Sequence, residues 1–314
     1  MNDILIRDAL LDDAEAISQL FRARVGVWQR MGVSGQVENV PYDDLTLYER
    51  WTHGGPWMSV ETGSVLLSRL LRGVGLAVVA EIGGEIAGFV EAYHGHEPAP
   101  FGQHIHVGQL IYPSDRPAIA EGLLRHLLEL VETMDDARLT ACISSPDSPA
   151  GRIFRDLGME PVQSVQRYTV PARTGQGLYR VNEHFNSSAA QIEGWTMPIG
   201  RTESARLHWE AAWPRIWEVI PQIAAQRVHR LQLVASSYEA FVYCRRDPYD
   251  PRSAEVLCWS QKPLAAQLLT AIRDWAHRES YRSLRLVVPQ EMVKMLGPDA
   301  EAEPFTRQIY GVRP

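Results

Sequence analysis

Cysteine is scarce in this chain. There are three in 314 residues, Cys142, Cys244 and Cys258, each inside an apolar or strand-like run. An odd, small number excludes a disulfide-stapled fold and predicts buried free thiols in a reducing compartment. Runs of basic residues are also missing, and 31 Lys+Arg against 38 Asp+Glu give a net charge of −7. No nucleic-acid or anionic-membrane surface is therefore expected. No stretch approaches about 18 apolar residues, and Asp3, Arg7 and Asp8 leave no room for an apolar leader. The expectation is a soluble cytoplasmic protein. What the chain has is core material, 45% hydrophobic residues, in a length that suits two domains of about 150 residues.

Periodicity places the elements. Ile4 to Arg7 reads as a strand, and Asp12-Asp13 open a helix with Ala16, Ile17, Leu20 and Phe21 on one face. Leu76–Ile82 and Glu85–Val90 flank Gly83-Gly84, which supplies the positive φ angles of a tight β-hairpin. A strand from about Ile105 to Tyr112 stops at Pro113-Ser114-Asp115-Arg116-Pro117. A helix follows, in which Ala120, Leu124 and Leu128 lie beside Leu123, Leu127 and Val131. Leu139–Ile143 and Val162–Val170 are strands around a short helix at Pro149–Leu157. The Gly- and Asn-containing stretch 172–190 reads as a linker.

The second half echoes the first. Strands at Leu231–Ala235, Ala240–Arg245 and Glu255–Trp259 lead to Ser260-Gln261-Lys262-Pro263-Leu264-Ala265-Ala266, which parallels Ser114-Asp115-Arg116-Pro117-Ala118-Ile119-Ala120. A strand at Leu284–Val288 follows, and both halves close on a strand containing Tyr, Tyr168 and Tyr310. A repeat near 145 residues predicts duplicated domains, 1–171 and 191–314. Trp209, Trp213 and Trp217, spaced i, i+4, i+8, predict one helix stripe used for packing.

Two features carry chemistry. A helix beginning at Pro117 leaves the N–H groups of Ala118, Ile119 and Ala120 without intrahelical partners, and Arg116 stands just outside, so the junction suits an anion. The second is His94-Gly95-His96-Glu97 and His104-Ile105-His106, two H-x-H pairs on either side of a turn. On strands each pair shares a face, and an antiparallel return would bring four imidazoles and Glu97 together. Three readings stay open for them: a hydrated strand end, a base near neutral pH, or a transition-metal site. Glu81 and Glu91 on the hairpin strands are alternative bases.

The order of these elements resembles the GNAT superfamily of N-acetyltransferases. The resemblance is carried by Ile4–Ala9 with Asp12-Asp13-Ala14, Val79–Phe89, Leu110–Arg116 and Ala150-Gly151-Arg152-Ile153-Phe154-Arg155-Asp156-Leu157-Gly158-Met159, about residues 4–170 in all. It implies an α/β fold, a mixed sheet in two GNAT-like domains, with acetyl-CoA as acyl donor and a small or amino-acid-like amine as acceptor in a ternary complex. It further implies that Leu110, Ile111 and Tyr112 line the pantetheine arm, that Arg116, Ala118, Ile119 and Ala120 face the pyrophosphate, and that Phe154 lies beside the cofactor. His106 or His104, through water, or Glu91 would be the base, with no metal required. The chain departs from the family in three places. In the first-domain loop, with Ala118 and Ala120 at the small positions, Asp115 stands where the family has Arg or Gln, and Pro117 removes one possible donor. Phe154 stands where a tyrosine commonly protonates the leaving thiolate, and the Ser260–Ala266 loop has no glycine, which makes the second domain a degenerate copy. The halves would then pack as an internal pseudo-dimer. A catalytically weak or inactive GNAT-fold protein acting as an acyl-CoA sensor or partner-binding module is the alternative. Because the protein is acidic, an anionic coenzyme must be held by local amides and Arg116 rather than by the overall field.

Overall fold

Gly83 and Gly84 both take positive φ, 62° and 89°, as a two-residue hairpin turn between right-twisted strands requires. A computed structural model describes residues 3–32, 35–143, 145–175 and 177–313 of the chain. They form two compact units, one of Met1–His94, Val107–Thr133 and Trp217–Ala224, the other of Gly95–His106, Met134–Ile216 and Ala225–Pro314.

The first unit holds β1 (Ile4–Asp8), α1 (Ala14–Arg22), the small ladder β2 (Gln29–Met31) and β3 (Val37–Asn39), α2 (Leu47–Thr52), α3 (Val60–Arg69) and β4 (Leu76–Ile82). It also contains most of β5 (Glu85–Glu97), the second half of β6 (Gly102–Ile111), and α4 (Pro117–Glu132). Its strand order is β1-β4-β5-β6. Period-2 alternation along β5 explains its two coverings. Gly88 faces α4 so closely that a side chain there would overlap Ile119. Phe89, on the opposite face, packs edge-on against Trp57 at 4.8 Å, and Trp57 stacks on Phe21 of α1 at 5.7 Å. Arg7 donates to Glu81 and, through two nitrogens, to Asp13. Glu81 is thus an ion-pair partner.

The second unit contains β7 (Arg138–Ile143), α5 (Pro149–Asp156), β8 (Glu160–Pro171), β9 (Tyr179–Glu183), β10 (Thr196–Ile199) and α6 (Ala205–Ala212). The short helix α7 (Pro221–Ala224) returns to the first unit. The chain then adds β11 (Val228–Ala235), β12 (Tyr238–Arg246), β13 (Ser253–Ser260), α8 (Ala266–Arg278), β14 (Ser283–Pro289), α9 (Val293–Leu296) and β15 (Glu301–Val312) to the second unit. Strand order there is β7-β15-β8-β14-β13-β12-β11-β9, with β10 also on β13. One sheet face buries Leu233, Val242, Cys258, Leu286 and Val170 against Leu268 and Ile272 of α8. On the other face Phe241 and Trp259 pack with Trp209 and Trp213 of α6 and its end.

Three sequence expectations change here. The stretch 172–190, read as a linker, carries β9, which pairs in register with β11, Val181 opposite Leu233. The Tyr310 strand does not close the second half on itself. β15 lies between β7 and β8, with Tyr310 opposite Ala141 on one side and Gln308 opposite Ser164 on the other. The tryptophan stripe also breaks, because α6 stops at Ala212 just before Trp213-Pro214, and proline cannot continue a helix. Trp209 and Trp213 stack at 4.2 Å, while Trp217 packs against Trp51 at 4.7 Å in the first unit. The cysteines match expectation. All three are free, Cys244 and Cys258 buried and Cys142 half-buried, and burial pushes every thiol pKa up. Among the described residues no helix is long and apolar enough to cross a membrane.

Candidate active site

The strand–loop–helix junction of the first unit is built as the sequence suggested, with one difference. After β6, the Tyr112 carbonyl accepts from the Arg24 guanidinium at 2.6 Å. The Arg116 N–H closes a turn onto the Pro113 carbonyl at 2.9 Å. Leu110 is half-buried, Ile111 and Tyr112 are buried, and Arg116 and Ala118 are exposed at the start of α4. The difference lies at Ile119 and Ala120, whose side chains are core, so only their main chain can meet a ligand. The Ile119 N–H already donates to the Arg116 carbonyl at 3.1 Å. Of the three amides expected at the helix start, that one is engaged.

Glu91 lies on β5 in the same unit. Buried, its carboxylate accepts from Trp57 Nε1 and from the Tyr93 hydroxyl, each at 2.6 Å. Two strong donors fix the carboxylate in place.

The histidines separate. At the far end of β5 His94 and His96 are exposed, whereas His104 and His106 of β6 are each 1% exposed. The two pairs do not share a face. Among the described residues no group of three or more His, Cys, Asp or Glu side chains is arranged to hold a metal ion. Gly95 explains how His104 fits, since a Cβ at Gly95 would overlap its imidazole. His104 Nδ1 donates to the Gly102 carbonyl at 3.0 Å and cannot easily yield. Gly95→Ala should therefore cost about 1–3 kcal/mol by overpacking. Urea denaturation checks this, and an unchanged midpoint would mean that the ring moves aside.

What surrounds His104 and His106 is a buried polar cluster within the second unit. Glu97 makes a two-pronged ion pair with Arg201, accepts from the Ala205 N–H at 3.2 Å, and lies 3.7 Å from His104 Nε2. Arg201 also stacks over Phe101, 4.2 Å from the ring centroid. Burial alone would raise the Glu97 pKa, but the charge of Arg201 and its hydrogen bonds outweigh it and hold the carboxylate below its usual range. His104 is pushed down to about 4, mainly by burial, against the pull of Glu97.

His106 has both ring nitrogens engaged. Thr140 Oγ1 donates to the Ile105 carbonyl, which leaves it free to accept from His106 Nδ1 at 2.9 Å. Nε2 lies 2.8 Å from Glu203 Oε2. Burial pushes His106 down to about 3 and Glu203 up to about 8. Both shifts favour the uncharged form of the pair, in which the Glu203 carboxyl donates to Nε2. Glu203 remains 30% exposed in its side chain, so the pair has one end in the protein and one toward water. His208, on α6, accepts from the N–H groups of Thr202 and Glu203, each at 3.1 Å, and burial pushes it down to about 3. It is a structural histidine that fixes the turn carrying Glu203. Phe154, on α5, is buried in this second unit and brings no hydroxyl.

Arg201, Glu203 and His208 went unseen in the sequence. The only local signal is Arg201-Thr202-Glu203-Ser204, a polar run between apolar β10 and α6. Nothing in its spacing ties it to His106, 97 residues earlier.

No protein-family model matches the sequence, and no curated protein sequence does either. Solved structures do match across nearly the whole chain. A GCN5-related N-acetyltransferase from Anabaena variabilis ATCC 29413 superimposes with a TM-score of 0.58 at 9% identity, covering 98% of this chain and 72% of that one. A second from Kribbella flavida gives 0.57 at 12% identity, covering 99% and 70%. A putative acetyltransferase from Pyrococcus horikoshii gives 0.51 at 14% identity, covering 99% and 89%.

The chain has the GNAT fold. Coverage is near complete, so the second half of the sequence lies within the superposition as well as residues 4–170. Within the GNAT fold, the outcome for the sequence-predicted residues is specific. Leu110, Ile111, Tyr112, Arg116, Ala118, Ile119, Ala120 and Glu91 fall in the first unit, and His104, His106 and Phe154 in the second.

Proposed function

We propose that this protein transfers an acyl group from acetyl-CoA to the amine of a small or amino-acid-like acceptor. The observation that carries the proposal is the GNAT fold over 98–99% of the chain. In this reading Leu110, Ile111 and Tyr112 line the pantetheine arm, and Arg116 with the main chain at Ala118 and Ala120 receives the pyrophosphate. Ile119 contributes packing rather than a donor. The amine nitrogen attacks the thioester carbonyl, the C–S bond breaks, and the ammonium proton goes to a base. Glu203, backed by His106, is the best-tuned candidate, because a carboxyl displaced to about 8 is matched to amine deprotonation near neutrality. His104 and Glu91 are closed in by their own hydrogen bonds. Water protonates the departing thiolate, since Phe154 has no proton to give.

A second reading, an acyl-CoA sensor with this fold and little turnover, is favoured by Phe154 itself. One pair of measurements separates the two. Acetyl-CoA should bind in calorimetry, and CoA thiol should appear above blank when a panel of amines is added. Binding without thiol release supports the sensor, and no binding at all would sink both.

A further inference from the structure

β9 ends the strand order of the second unit, and among the described residues it pairs with β11 alone. The His184 N–H donates to the Arg230 carbonyl at 2.8 Å. Hydrogen-bonded pairs alternate along an antiparallel ladder, so Asn182 and Arg180 also turn their main-chain groups toward β11. The N–H and C=O groups of Tyr179, Val181 and Glu183 therefore face away from it. The strand is held in place, because the Tyr179 hydroxyl donates to Asp274 of α8 at 2.7 Å and both Tyr179 and Val181 pack on the core beneath that helix. Leu178 and Phe185, at the two ends of this edge, are 95% and 68% exposed. Natural edges are commonly guarded by proline, lysine or a bulge. Residues 177–186 contain neither proline nor lysine, and the β9–β11 register runs without a shift.

This edge is complementary to itself. Val181 is the middle residue of β9. A two-fold axis through it, perpendicular to the sheet, sets β9 antiparallel to the β9 of a second copy. Val181 then meets its own counterpart and Tyr179 meets the incoming Glu183, so every outward residue joins a hydrogen-bonded pair, about six main-chain bonds in all. On the α8 face the incoming Glu183 arrives beside Arg278, which stands 5.6 Å from the Tyr179 ring centroid with its side chain 65% exposed. On the other face the incoming Leu178 lies opposite His184, whose ring is 4.6 Å from that of Phe241. The incoming Phe185 comes opposite Gly177, where a side chain would meet nothing within 4 Å. Both exposed apolar side chains are thereby covered, and no two like charges stand directly opposite each other.

We infer that β9 is a homodimer interface, at which a second copy of this chain adds its own β9 antiparallel about Val181. Main-chain bonds alone would suit any extended strand. The meeting of Glu183 with Arg278, and of Leu178 and Phe185 with the open positions at His184 and Gly177, is what singles out a second copy. The inference does not depend on acyl transfer.

Sedimentation equilibrium of the full chain over a concentration series should show monomer and dimer and no larger species, because an isologous interface closes at two. Leu178→Glu and Phe185→Glu, at exposed positions outside the core, should each weaken dimerisation about tenfold and leave the urea midpoint unchanged. Cross-linking reads the register. Under mild oxidation, with the natural protein as blank, Val181→Cys should give a disulfide-linked dimer, since the axis passes through that position. Asn182→Cys should not, because its counterpart lies two residues further along the ladder, beyond disulfide reach. A chain that stays monomeric at every concentration overturns the inference, as do species larger than a dimer. So does a dimer that both glutamate variants leave unweakened, or cross-linking that is absent at Val181→Cys or equally strong at Asn182→Cys.

Discussion

Arg201→Met is expected to cost about 3–5 kcal/mol of stability, because it leaves the Glu97 carboxylate buried and unpaired. Both side chains of the pair are 2% exposed, and Glu97 is also the acceptor for the Ala205 N–H at the start of α6. Denaturant unfolding measures the loss. Adding Glu97→Gln, which removes the charge and keeps an acceptor for Ala205, should restore most of it, since the destabilisation comes from an uncompensated charge rather than from the lost attraction. The pH dependence should reverse sign. In the natural protein the folded-state pKa of Glu97 lies below its unfolded value of about 4.3, so its contribution is present above that pH and fades as pH falls through the folded value. With Met at 201, burial acts unopposed, the folded pKa rises, and stability should instead increase as pH falls toward about 4.3. A single variant within about 1 kcal/mol of the natural protein, with the same pH slope, would show that water already compensates Glu97.

The largest effect on turnover is expected at Glu203. If Glu203 takes the ammonium proton, Glu203→Gln should lower the acetyl-transfer rate about 10²–10⁴-fold, with acetyl-CoA affinity unchanged. On that reading the natural protein should gain activity as pH rises through about 8, where the Glu203 carboxyl ionises. The Gln variant should lose that limb. His106→Gln should shift the limb rather than remove it, because His106 acts through Glu203 and has no nitrogen free for substrate. Retention of rate and profile in Glu203→Gln would redirect attention to Glu91. The same groups tie stability to pH. Glu203 is raised in the folded state, so its neutral form favours folding and that contribution is lost between about 4.3 and about 8. His106 is depressed, so its contribution is lost as pH falls from about 6.5 toward about 3.

What could be read from the sequence follows from how local each signal is. The β4–β5 hairpin was legible because its two glycines and its alternation sit within fifteen residues or so. The long helix α4 was legible because its apolar rows repeat every turn and Pro117 marks its start. The tryptophan stripe misled because periodicity carried past Pro214, and a single proline overrides a spacing. β15 and the Glu203–His106 pair were illegible for a different reason. Their partners lie far away along the chain, and no local pattern records which strand edge or which buried imidazole a distant segment will meet. His104 and His106 were found as residue types, but the group that tunes them, Glu203, sat in a short polar turn with no chemistry-bearing spacing of its own. Gly95 was visible as the middle of H-x-H, although its purpose, space for His104, appears only once the strands pair.

The position of β15 bears on how the molecule is made. β15 fills a slot between β7 and β8, which were synthesised well over a hundred residues before it. Until Glu301–Val312 emerges, those two strands hold facing edges of unpaired N–H and C=O groups, the kind of surface that recruits foreign strands. The sheet of the second unit therefore cannot be completed in the order in which it is translated. Its closing step is the insertion of Glu301–Val312.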